Sequence, residues 1–321
     1  MLIKMQVGEQ DRGELQVNVT DYDNAPIRDA RVTISEPETA INPNSPIERL
    51  ETDVSGQTQI VDLNTPPLEY SLNENNENMP YANYNIQIEV PGYETENIRN
   101  VEILPDSLSL QNVRMRKREG EQVENIDIDP HTLYAEYPEK IPEDEIKDVN
   151  EPGEIVLSRV VIPEYVVVHN GTPSSNARDY YVTYKDYIKN VASSEIYATW
   201  PRATIAANVL AIMSFTLNRV YTEWYRNKGY DFTITSSTAY DQKWIYGRNI
   251  FQSIDEVVDE IFDQYLSRPD VRQPILTQYC DGKRVTCPNW LSQWGSCNLG
   301  EQGFGTLEII RNYYGDDMYI N

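Results

Sequence analysis

The stretch that decides the reading is Asp186-Tyr-Ile-Lys-Asn-Val-Ala-Ser-Ser-Glu195-Ile-Tyr-Ala-Thr-Trp-Pro201. Taken as a helix, it brings Tyr187, Ile188, Val191, Ala192 and Glu195 to one side at steps of three and four residues. A single carboxylate therefore shares the buried face, near the end of the element. Ile196 to Trp200 breaks the spacing, and Thr199-Trp200-Pro201 reads as a second helix start with proline at its first turn. From Pro201 to Lys228 apolar residues, among them Ile205, Val209, Leu210, Met213, Phe215 and Leu217, fall on more than one side. A helix apolar all round belongs at the centre of a domain. Glu195 thus stands at the mouth of a core helix, where the surroundings disfavour its charge and where a general acid would be placed.

These residues carry a resemblance. Tyr187 to Glu195, then Trp200-Pro201 and Ala206-Ala-Asn208, resemble the opening of the SpoIID/LytB domain. A second block, Leu291-Ser-Gln-Trp-Gly-Ser296 with Glu301-Gln-Gly303 and Ile309 to Gly315, is similar to that family's Met-Ser-Gln-Tyr-Gly-Ala and its following helix. Thr235 to Gly247 resembles the polar segment between them more weakly. Two ordered blocks are more specific than either alone, and the likeness covers 162–320. Within the family it looks most like the clostridial spore cortex-lytic enzymes of the SleC type. The resemblance implies a predominantly α-helical α+β catalytic domain over 160–321.

The chain has 321 residues and a net charge of −24. That length allows two domains with cores of their own. The charge argues against nucleic acid and against an anionic membrane surface as partners. Pro201–Trp224 is the one long apolar stretch, and Arg202, Asn208, Ser214, Asn218 and Arg219 interrupt it, so no membrane insertion is expected. The N-terminus lacks an apolar signal region, so either this form is retained in the cell that makes it or a leader is missing. Three cysteines do not make a disulfide scaffold.

After an N-terminal arm (1–12), residues 13–117 read as an all-β sandwich. Leu15, Val17 and Val19 alternate, as do Ala30, Val32 and Ile34, and Tyr84, Ile86, Ile88 and Val90. Asp23-Asn-Ala-Pro26, Asp53-Val-Ser-Gly56 and Pro91-Gly92 are the turns between strands. The order resembles carboxypeptidase-regulatory-like (transthyretin-like) sandwiches and offers no chemistry, so a spacer or inhibitory module is expected. Residues 118–159 read as an acidic, proline-containing linker, partly docked through Leu133, Tyr134 and Tyr137. The resemblance implies a zymogen activated by a serine protease, and Asn150-Glu-Pro-Gly-Glu154 to Ile162 is the natural place for the cut.

Within 160–321, Val160–Val168 reads as a strand and Ile250 to Leu266 as an amphipathic helix with its acids outward. His169, the one histidine here, reads more often as a packing residue than a functional one. Cys280 and Cys287 flank a hairpin tip, either as a disulfide or as free thiols; the spacing is not that of a zinc site. Cys297 reads as a packing residue. No metal or other cofactor is expected.

A glycoside hydrolase of the usual kind uses two carboxylates. A lytic transglycosylase uses one: the acid protonates the bridging oxygen, the sugar's own 6-hydroxyl attacks, and a 1,6-anhydro-muramic end results. Glu195 has no partner at family spacing, since Asp186 lies about two and a half turns back. The resemblance therefore implies a transglycosylase acting on the glycan strands of spore cortex peptidoglycan during germination, located in the spore. Its substrate-binding candidates are Asn208, where the family has Gln, with Ser292, Gln293, Trp294 and Gly295 from the second block and Tyr240, Asp241 and Gln242 from the middle segment. Met213 and Phe215 depart from the family's Arg and Tyr. Trp290 and Trp294 could equally stack on sugars or fill the core. The alternatives are an N-acetylmuramoyl-L-alanine amidase, against which the poverty of histidine argues, and a non-catalytic glycan-binding or structural spore protein.

Overall fold

In the amino-terminal part, alternation is answered strand by strand. The computed structural model describes residues 10–37, 46–119, 123–148, 157 and 159–321. The chain divides into two units, and residues 10–130 with 197–199 and 246–252 form the first. Its strands are β1 (Asp11–Asp21), β2 (Arg31–Ser35), β3 (Pro46–Glu51), β4 (Val61–Thr65), β5 (Ala82–Glu89), β6 (Thr95–Ile103), β7 (Leu108–Met115) and β8 (Val123–Asp127), with one short helix, α1 (Glu69–Leu72). Five make the sheet β3-β2-β5-β6-β8; β7, β1 and β4 make the other, and Ile250–Phe251 extends it along β7. Leu15, Val17, Val19, Val32, Ile34, Ile86, Ile88 and Ile98 are all buried, so each sheet turns one side inward.

Turn chemistry works as the sequence suggests. Asp53 Oδ1 accepts the N–H groups of Ser55 and Gln57 at 2.8 and 3.1 Å. Gly56 closes that turn at φ +75°, where a Cβ would lie 2.4 Å from the Val19 carbonyl oxygen.

Two expectations need correction. The segment expected as linker contains β8, which pairs in parallel with β6, and the first unit runs on to Pro130. The apolar start of the helix expected from Ile250 is instead a strand: Ile250 and Phe251 pair with Leu110 and Ser109. Sheet pairing overrides helical periodicity there. The expected cleavage stretch at 150–154 lies outside the described residues, as does most of the expected N-terminal arm.

The β6–β8 register sets Glu96 opposite Glu124. Burial, then the Glu124 charge, pushes Glu96 up to about 8, against the pull of Arg116. A carboxyl raised on folding contributes stability that is complete below its ordinary range near 4.5 and lost as pH rises through about 8. Glu96→Gln is therefore expected to raise the urea midpoint at pH 8 and to flatten its pH dependence between about 4.5 and 8. An unchanged profile would remove Glu96 as its source.

The second unit holds 131–196, 200–245 and 253–321. Its small sheet runs β10 (Asp179–Thr183), β9 (Tyr165–His169), β11 (Ile234–Thr235). Then come the helices α2 (Tyr184–Glu195), α3 (Arg202–Tyr221), α4 (Gln252–Ile261), α5 (Gln293–Glu301) and α6 (Thr306–Tyr314). Thr183 caps α2 by accepting the Asp186 N–H at 3.2 Å. Tyr187, Ile188, Val191, Ala192 and Glu195 are all buried along it. Helix α3 starts after Pro201 and ends seven residues short of Lys228. It is long and apolar enough to cross a membrane by composition, and it is mostly buried inside the unit, with contacts to α2, α5 and α6.

Candidate active site

Glu195 is the last residue of α2, and 0% of its surface is exposed. After it the backbone turns extended at Ile196, which ends the helix and presents the carboxyl to the chain that returns later. Two donors meet it. The Lys243 N–H donates to Oε1 at 2.7 Å, and the Tyr279 hydroxyl donates to Oε2 at 2.5 Å. Tyr279 is placed by a short parallel pair, Tyr279–Cys280 against Leu291–Ser292, which leads straight into α5. From the first turn of α5, Gln293 Nε2 donates to the Glu195 carbonyl at 3.2 Å.

Burial pushes the Glu195 carboxyl up, and Lys140, the Lys243 N–H and Tyr279 pull the other way; the net direction is up. Burial and the Glu195 charge push Tyr279 well up, so its hydroxyl stays a donor. Lys140 is pushed down by burial. Its ammonium donates to the Asp241 carbonyl at 3.0 Å and stands 4.5 Å from the centre of the Tyr279 ring.

Among the described residues of this unit two further carboxylates are buried, and both are engaged. Asp241 Oδ1 accepts from Arg219 Nε at 2.7 Å, while its Oδ2 accepts from Tyr225, from the Thr235 N–H and from the Thr235 hydroxyl. Asp281 accepts from Arg284 Nε at 2.7 Å and from the backbone N–H groups of Lys283, Arg284 and Val285. Neither is left as a free base. Exposed Asp186 sits in the first turn of α2, at the far end from Glu195.

The other expected residues divide into two groups. Gln293 belongs to the Glu195 surroundings, and its buried Oε1 has no partner among the described residues. Asn208 instead ties α3 to α5 through Thr204 O and Ser296 Oγ, at 2.9 and 2.8 Å. Gln242 is consumed between α2 and α3, accepting from Tyr187 and Thr216 and donating to Ile212 O. Ser292 caps α5 by accepting the Gly295 N–H at 2.9 Å. Gly295 is small because a Cβ there would lie 2.2 Å from the Tyr313 hydroxyl oxygen. Trp294 is buried against Trp200 with ring centres 5.1 Å apart. Tyr240 is partly exposed, and its carbonyl accepts from Arg219 at 3.1 Å. Trp290 and Ser292 help line an open cavity of about 420 Å³ beside the hairpin tip. Most of the expected binding residues therefore hold the scaffold.

His169 is a loop clamp. Its Nδ1 is 2.7 Å from Asp179 Oδ1, and its ring stacks on Phe232. Nε2 lies 3.2 Å from both the Ser175 carbonyl and the Ser175 hydroxyl. A carbonyl only accepts, and the hydroxyl already donates to Thr172 O at 2.7 Å. The nitrogen is thus a donor, and no base–nucleophile pair forms.

Cys280 and Cys287 are joined as a disulfide, and Cys297 is a buried thiol outside it. Reducing a bond that closes so short a loop is expected to cost about 2 kcal/mol. Urea midpoints with and without reductant measure it, and a Cys287→Ser chain should show the lower midpoint in both. Among the described residues no group of three or more His, Cys, Asp or Glu is placed to hold a metal.

Nothing in the sequence marks Tyr279 or Lys140, and Tyr137 is marked only as a residue that docks the linker. Tyr279 ends the mixed stretch Ile275-Leu-Thr-Gln-Tyr279, which has no periodicity, and Lys140 lies in what reads as linker.

No family model and no curated protein matches this chain. Among solved structures it is similar to the minor pilin GBS52 of Streptococcus agalactiae, at 17% identity over 36% of this chain and 48% of that one, with a TM-score of 0.24. It is also similar to the catechol 1,2-dioxygenase of Acinetobacter radioresistens, at 14% identity over 36% and 58%, TM-score 0.24. A third is the Bacillus anthracis TIE protein, at 13% identity over 33% and 17%, TM-score 0.22. The chain thus spans between 17% and 58% of the length of these structures. Likenesses this slight carry no argument about what it does.

Proposed function

We propose that this chain is a peptidoglycan lytic transglycosylase with Glu195 as its one acid and base. On this reading the first unit is a carboxypeptidase-regulatory-like (transthyretin-like) sandwich, and the second is a SpoIID/LytB-like catalytic domain of the kind found in SleC-type spore cortex-lytic enzymes. The observation that carries it is the setting of Glu195: a fully buried carboxyl with its proton affinity raised, met by Tyr279 and the Lys243 N–H, while Asp241 and Asp281 are each spent on an arginine. A hydrolase needs a second available carboxylate; a transglycosylase does not.

The steps balance on one proton. Protonated Glu195 gives its proton to the oxygen bridging MurNAc and GlcNAc as the bond from that oxygen to the muramic C1 breaks. The muramic 6-hydroxyl attacks C1, and the ionised Glu195 takes the hydroxyl's proton. The products are a 1,6-anhydro-muramic end and a free GlcNAc 4-hydroxyl. Tyr279 and the Lys243 N–H hold the carboxyl and carry part of its charge when it is ionised. The partners proposed are cortex glycan strands and an activating serine protease, and the place is the spore. The Cys280–Cys287 bond fits work outside a reducing cytosol.

Mass spectrometry of digested cortex tests the reading. Anhydro-muramic ends are the expected product. Free stem peptides would instead mean amidase action, and an absence of products would leave a glycan-binding or structural role.

A further inference from the structure

Residues 131–147 form a strap with no helix or strand of its own, and the second unit grips it from end to end. It begins against the tail of α2. The Thr132 N–H donates to Ser194 O at 3.0 Å. His131 Nδ1 accepts the Leu133 N–H, which leaves Nε2 as the donor to Ile196 O at 3.3 Å. Glu195 sits between those two carbonyls in sequence. Tyr137 and Lys140 of the strap are both buried; the Lys140 charge acts on Glu195, and the Glu195 charge pushes the Tyr137 hydroxyl up.

The strap's backbone is answered by side chains. Gln278 donates to Ile141 O and accepts the Glu143 N–H, both at 2.9 Å. Gln273 does the same for the two backbone groups of Lys147, at 3.0 and 3.1 Å. Two of the strap's carboxylates meet arginines: Glu143 is held at both oxygens by Arg219, and Glu145 at both by Arg268. A primary amide that pairs with a peptide's N–H and C=O can pair with an acetamido group, which offers the same donor and acceptor. Yet the fit beside Glu195 is incomplete. The Tyr137 hydroxyl and Gln293 Oε1 are buried with no partner among the described residues.

Resting on the transglycosylase reading, we propose that the strap occupies the cleft meant for an N-acetylated, carboxylate-bearing glycan, with Gln273 and Gln278 reading the acetamido groups and Arg268 the carboxylates once it leaves. A glycan reaches Glu195 only when the strap is displaced. The free chain therefore binds with an affinity reduced by the fraction of time the strap is away.

The test uses the full chain, a soluble muropeptide oligosaccharide, and hydrogen exchange at the Lys243 amide, which reports whether the Glu195 carboxyl is covered. Glu145→Gln, at the rim of the strap, is expected to tighten oligosaccharide binding about three- to tenfold and to speed that exchange by a similar factor. A synthetic peptide of residues 131–147 should compete with the sugar. Lys140→Met is a second way to loosen the strap, should the first disturb folding. Unchanged affinity with faster exchange overturns the proposal, and so does a peptide that fails to compete. Stem peptides binding as well as the glycan would make this a peptide cleft and also overturn it. Sugar binding that tracks strap release without any cutting would sink the enzyme reading and leave the cleft standing. Cutting with the strap in place would do the reverse.

Discussion

Glu195→Gln is expected to lower glycan cutting by about a hundred- to ten-thousandfold, the usual contribution of a positioned acid and base. The fold should survive. A glutamine oxygen can still accept the Lys243 N–H, and the Tyr279 hydroxyl can turn to accept from the new amide, so both hydrogen bonds are replaced. The transferable proton is lost. In the parent, cutting should persist at pH values where an ordinary glutamate is ionised and fall as pH rises through the raised value of Glu195. Anhydro-muramic ends counted by mass spectrometry across pH read both effects. A variant that cuts as the parent does would end the case for Glu195.

The second large effect concerns stability. Asp241→Ala is expected to cost about 3–5 kcal/mol, because it strips a fully buried arginine of one of its two carboxylates. Arg219 is 1% exposed and lies between Asp241 and Glu143, which also meets Lys147 at 2.6 Å. Burial pushes Glu143 up, but Arg219 and Lys147 together hold it below the ordinary range. The Tyr225 hydroxyl and both Thr235 donors would lose their acceptor as well. Arg219→Met should be as damaging, since it leaves Asp241 buried without a cation and Glu143 with Lys147 alone. Adding Glu143→Gln to it should then recover part of the loss, because groups in one network are not additive. Urea unfolding of the parent, Asp241→Ala, Arg219→Met, Glu143→Gln and the double variant measures this, and simple additivity of the last two changes would mean the cluster is not one network.

What could be read from the sequence followed local periodicity. Helix α2 is legible because Tyr187, Ile188, Val191, Ala192 and Glu195 share a face, and the first strand because Leu15, Val17 and Val19 alternate before the turn at Asp23-Asn-Ala-Pro26. Both signals arise between near neighbours. The strap gives no such signal, since its backbone bonds to Gln273 and Gln278, more than a hundred residues away. Strand β8 was hidden by Glu124 and Asp127 at exposed or half-buried positions, and Ile250–Phe251 by apolar spacing that suits a helix equally well. Tyr279 reaches Glu195 only through a two-residue pairing, too short for any pattern.

Ile250–Phe251 pairs with a strand laid down far earlier in the chain. Around it, Asn249 bonds both backbone groups of Glu102, and Arg248 pairs with the Glu102 carboxylate at 2.6 Å. A protease that opens the backbone anywhere from 149 to 162 thus yields a nicked molecule whose two fragments stay threaded through a common sheet. Maturation by such a cut would be invisible to gel filtration and plain on a denaturing gel.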